Sequence, residues 1–170
     1  MDKTMKRLIE EKLSALIKQP LTDIGRASNL LWLSFGEKVV TIDRKGNEIQ
    51  KGKYALNVQC TWRLTQYCHI IVASKDFYIP KTGLGYDLFD WEKYGNNRFD
   101  ERIIDFKQMI TKTNLSVSNI SVDDIGGVKI DFGFGVQFEL FPDDSLGDEF
   151  WRFIINGEKS EHFVFIEKEE

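Results

Sequence analysis

Apolar residues recur at two different periods along this chain, and the switch between them marks out its elements. Met5, Leu8, Ile9, Leu13, Leu16 and Ile17 fall at helical spacing, with Lys3, Lys6, Arg7, Glu10 and Glu11 between them, which predicts an amphipathic helix over 3–18. Asp2 is placed to cap it and Pro20 to stop it. The period then becomes two. Strands are predicted over Leu30–Phe35 and Lys38–Ile42, with Gly36-Glu37 as a turn and a polar hairpin loop over 43–53. Tyr54, Leu56, Val58, Cys60, Trp62 and Leu64 alternate with Ala55, Asn57, Gln59, Thr61 and Arg63. This predicts one eleven-residue strand with an apolar face and a polar face. A shorter strand over His69–Ser74 forms a hairpin with it.

From Phe77 to Asn97 the periodicity is lost. Pro80, Gly83, Gly85 and Gly95 interrupt a run rich in aromatic and acidic residues, and a stretch of that length without a pattern predicts a functional or mobile loop. A second helix is expected near 98–111, with Asp100 and Glu101 in its first turn, where the helix dipole favours negative charge. The rest alternates again: 115–122, 128–140 across a turn at Gly133–Gly135, Glu149–Ile155, and His162–Glu167 after the Asn156-Gly157 hairpin signal. The fold class that follows is α+β, with two helices and mainly antiparallel sheet of about eight to ten strands.

Two stretches echo each other. Leu33-Ser34-Phe35-Gly36 matches Ile130-Asp131-Phe132-Gly133. Trp62-Arg63 matches Trp151-Arg152, and the strand begun by His69 matches the one begun by His162. A helix precedes each stretch. The expectation is one domain over 1–170, built of two pseudo-repeated α-β-β-β-β units, 1–76 and 98–170, linked by the irregular loop 77–97.

Composition narrows the function. The chain has 170 residues, 42% apolar and 29% charged, which is ordinary for a folded domain with a sizeable core. A formal charge of −4 and scattered lysines and arginines argue against nucleic acid as a partner. No apolar run is long enough to span a bilayer, and the first seventeen residues carry charges throughout, unlike a secretory signal. Cys60 and Cys68 make no disulfide framework, so a cytoplasmic protein with reduced thiols is expected.

The chemistry-bearing residues form no catalytic set. His69 and His162 are far apart, which leaves no metal-ligand spacing. Gly83-Leu84-Gly85 lacks the remainder of a phosphate-binding fingerprint, and Cys60 is expected to be buried rather than nucleophilic. No cofactor is implied. Two surfaces remain. Asp87, Asp90, Trp91 and Tyr94, with Arg98 beyond them, form an acidic–aromatic segment suited to partner recognition. Asn57, Gln59 and Arg63 lie on the polar face of the long strand, where Arg63 is expected to meet Asp87 or Asp90.

The segments Ile24-Gly25-Arg26-Ala27, Leu31–Gly36, Tyr54–Arg63 and Asn97–Glu101 resemble an uncharacterised family of small bacterial cytoplasmic proteins. The likeness covers most of the chain after the first helix and implies no activity and no catalytic residues. The functional expectation is a non-enzymatic protein-binding module, monomer or homodimer, of the immunity type that neutralises a toxin. The alternative is a small-molecule-binding domain or weak hydrolase with its pocket under loop 77–97.

Overall fold

A computed structural model of the chain describes residues 3–43, 45–146, 148–157 and 159–166. The proposed cap Asp2 and the strand end at Glu167 lie outside these residues. Among the described residues the fold is α+β: two helices and ten antiparallel strands arranged in two five-stranded sheets.

Helix α1 (Lys3–Ser14) buries Ile9 and Leu13. It ends earlier than its apolar pattern suggests. Leu16 and Ile17 donate to carbonyls three residues back, and Lys18 adopts a positive φ of 66°, turning the chain before Pro20 is reached. Strand β1 (Leu21–Ala27), which the pattern did not reveal, follows, and then β2 (Leu30–Ile42). Gly36-Glu37 is not a turn. The register shifts between Phe35 and Lys38, so one continuous strand carries a bulge there, with Gly36 at φ 77°.

The long alternating stretch is two strands rather than one. β3 (Glu48–Val58) belongs to the first sheet and β4 (Thr61–Gln66) to the second, and the chain crosses between sheets at Gln59-Cys60. Both sheets face one core, so burial keeps alternating through the crossing: Leu56, Val58, Cys60, Trp62 and Leu64 are all buried. β5 (His69–Ala73), α2 (Arg98–Lys112), β6 (Val117–Val122), β7 (Val128–Phe132), β8 (Val136–Phe141), β9 (Glu149–Ile155) and β10 (Glu161–Ile166) complete the chain.

The first sheet has the order β1-β2-β3-β9-β10 and the second β6-β7-β8-β4-β5. Laying β1–β5 on β6–β10 turns one order into the other, a topology compatible with a pseudo-repeat of one helix and five strands. The expected unit had one strand too few because β1 was missed. Pairing fixes the correspondence. Val58 opposes Trp151 as Leu140 opposes Trp62, and bulges fall at equivalent places, between Leu21 and Asp23 and between Val117 and Asn119. Equivalent residues meet where the halves face each other: Pro20 bridges to Ser116, and the Phe35 and Phe132 rings stack 6.4 Å apart. The histidines are offset by one place, since His162 opposes Ile154 whereas Ile70, not His69, opposes Thr65.

Each helix packs on strands of the opposite half, α2 on β1 and β5 and α1 on β6. The helices therefore cover edges of the two sheets.

Candidate functional site

The predicted site residues do not converge. Arg63 aside, they occupy three places, set by the crossing at Gln59-Cys60.

The first is loop 77–97, which is anchored at its base. Arg26, on β1, donates from Nε and Nη2 to the two carboxylate oxygens of Asp100 at 2.8 and 2.7 Å, and both side chains are almost wholly buried. Asp100 also accepts from the Gly95 amide at 2.8 Å, and its own amide donates to the Asn97 side chain that caps α2. The bidentate bond to Asp100 holds the Arg26 guanidinium above its usual pKa. That guanidinium also lies 5.9 Å from the Phe77 ring centre and donates to the Lys93 carbonyl. Phe77 and Phe99, at the two ends of the loop, pack on Trp62 at 5.5 and 5.8 Å. Arg98 is part of this anchorage: its amide donates to the Ile79 carbonyl, and its side chain faces Asp76 at 3.6 Å. Pro80 bridges to Asn97, and Glu101 accepts from the Thr82 amide and hydroxyl.

From this base the loop projects Tyr86, Leu88 and Tyr94, which are 73%, 71% and 74% exposed, beside Asp87, Asp90 and Glu92. Trp91 is half-buried against Tyr78, ring centres 5.2 Å apart. The expected contact of Arg63 with Asp87 or Asp90 does not form. Arg63 lies on the outer face of the second sheet, directly opposite Glu139 on β8, which accepts from its Nε at 2.6 Å. A pocket under the loop lined by Arg63 loses its basis with that contact.

The second place is the crossing itself. Gln59 and Thr61 line a cleft of about 210 Å³ with Ser74, Tyr78 and Asp143. The Thr61 hydroxyl donates to Asp143. Cys60 sits at the floor, where burial pushes its thiol up to about 12, with Asp143 adding to the effect. A thiol held protonated in this way is a poor nucleophile.

The third place holds Asn57, on the outer face of the first sheet. There a concavity of about 680 Å³ runs over β1, β2, β3 and β9. Its wall is Trp32, half-buried, whose indole lies so close to Gly25 that any side chain at that position would collide with it. Lys107 on α2 approaches the Trp32 ring at 5.6 Å and pairs with Asp23 at 3.0 Å.

Arg26 and Trp32 are the residues that pattern reading missed as site components. Arg26 meets its partner across 74 positions of sequence, which no spacing rule registers. Trp32 was absorbed into an apolar run. The signal that could have exposed it is its place out of phase with Leu31, Leu33 and Phe35, which alternation sends toward the core.

Among the described residues no cluster of three or more histidine, cysteine or carboxylate side chains could hold a metal ion, and no helix is long and apolar enough to cross a membrane. Comparison with family models, with curated proteins and with solved structures finds no match for the chain.

Proposed function

We propose that this protein is a non-enzymatic binding module whose recognition surface is loop 77–97, and that its partner is a protein, in the manner of an immunity-type neutraliser of a bacterial toxin. The observation that carries this reading is the contrast between the base and the tip of the loop. A buried bidentate ion pair, a helix cap and an aromatic cluster hold the base, while two tyrosines and a leucine stand in solvent beside three carboxylates. Ordering a loop before encounter lowers the entropic cost of binding, and exposed aromatics on a fixed backbone are the usual anchors of an interface. The carboxylates fit a partner whose surface around the contact is basic.

The test places a photo-crosslinking residue at Tyr86 or Tyr94 and, as control, at Lys129 on the outer face of the second sheet, in cells native to the chain. A discrete adduct from the loop positions, absent from the control and lost on Leu88→Asp, is expected. Adducts of equal yield from loop and control positions would overturn the reading.

Two further features are part of the same proposal. The common strand order and the Trp-Arg pair at equivalent register support an origin by duplication of one helix and five strands. The free thiols of Cys60 and Cys68 and the resemblance to small bacterial proteins support a bacterial cytoplasmic setting.

A further inference from the structure

The two outer sheet faces can be compared position by position, because pairing fixes which residues correspond. On the second sheet the outward residues are charged and mutually bonded. Arg63 pairs with Glu139, Lys129 lies 3.7 Å from Asp131, and Gln137 donates to Asp131 at 2.8 Å. This is an ordinary solvated face. On the first sheet Lys129 is replaced by Trp32, Glu139 by Asn57, Asp131 by Ser34 and Gln137 by Ala55. The same scaffold therefore presents a paired polar surface on one side and a trough on the other.

The trough has a direction. Its apolar end lies between Trp32, Leu30 and Ile154, and the Asn57 side chain there has no hydrogen-bond partner among the described residues. Its far end, five residues along β3 and about 17 Å away at ~3.3 Å per residue, carries Lys38, which opposes Gly52 on the trough's face, whereas Lys51 opposes Val39 on the other face of the hairpin. Lys38 has no ion-pair partner among the described residues, whereas Lys107 and Asp23 neutralise each other at the rim. In a chain of net charge −4 this leaves a local positive end. The volume of about 680 Å³ lies in the range of roughly 300–1,000 Å³ usual for small-molecule sites.

We propose that this trough binds an elongated amphipathic anion, its apolar body against Trp32 and Ala55 and its single terminal acid group at Lys38. This site is separate from the loop and stands or falls independently of it.

Dodecanoate, below its micelle concentration, is the probe, with dodecanol as its uncharged counterpart, and calorimetry is the readout. Saturable one-to-one binding of dodecanoate is expected. Lys38→Glu, at an exposed position, should weaken dodecanoate about fivefold and leave dodecanol unchanged. Ala55→Trp, which fills the trough, should abolish both. Should Ala55→Trp fail to fold by circular dichroism, Trp32→Ala, which removes the wall, serves instead and should weaken both ligands alike. Absence of saturable dodecanoate binding, or equal affinity in the charge-reversed variant and the parent, would overturn the proposal.

Discussion

Asp100 illustrates how one side chain can join three elements. It sits in the first turn of α2, takes both donors of an arginine on β1, and takes the amide of Gly95 from the loop. Neither charge of the pair reaches water, so removing one leaves the other buried without compensation. Asp100→Asn is therefore expected to cost about 3–5 kcal/mol, measured by urea denaturation. Arg26→Met/Asp100→Leu removes both charges and should lose less than the single variant. The reverse order of the two losses would mean that packing, not charge, dominates this position. Such a residue is illegible in sequence. Asp100 reads as an ordinary dipole-complementing acid, and Arg26 as a polar residue in a segment too short and mixed to announce a strand.

At the scale of the element, the β2–β3 hairpin shows how a single carboxylate organises a turn. Asp43 accepts from the amides of Lys45 and Asn47 and from the Asn47 side chain. These bonds, the Asn47 amide foremost, draw its pKa below the usual 3.8. A depressed carboxylate contributes stability that is present above its unfolded pKa and lost as pH falls through the folded one. The turn should therefore loosen only in acid below the ordinary carboxylate range, seen as lower amide protection factors at Asn47 and along Thr41 and Ile49. Asp43→Ala should show the lowered protection at all pH values, and a wild-type turn indifferent to acid would count against this role. The turn itself was legible, as were both helices and β5 to β10, because their polar breaks and periods are local. What alternation cannot convey is which sheet a strand joins. Tyr54 to Leu64 keeps its inward–outward phase while leaving one sheet for the other, so Asn57 and Arg63, predicted as neighbours on one face, stand on opposite outer faces of the molecule.

The whole molecule depends on strands and helices exchanged between its halves. β3 finds its second neighbour in β9 and β4 in β8, while each helix covers strands of the other half. A chain ending in the loop would contain β1 to β5 yet leave the inner edges of β3 and β4 unpaired and the aromatic core open, an arrangement prone to unfold or aggregate. Cutting between Leu84 and Gly85, at the exposed part of the loop, tests this dependence. Neither 1–84 nor 85–170 alone should show a cooperative thermal transition by circular dichroism. Expressed together they should associate one to one and recover it, because the cut spares every strand pairing and the Arg26–Asp100 pair then spans the two fragments. Asp100→Asn in the second fragment should weaken that association, since the buried pair is now intermolecular. A first fragment that folds cooperatively as a monomer would show that its five strands hold together without the exchange, and the interlocked account of the core would fail.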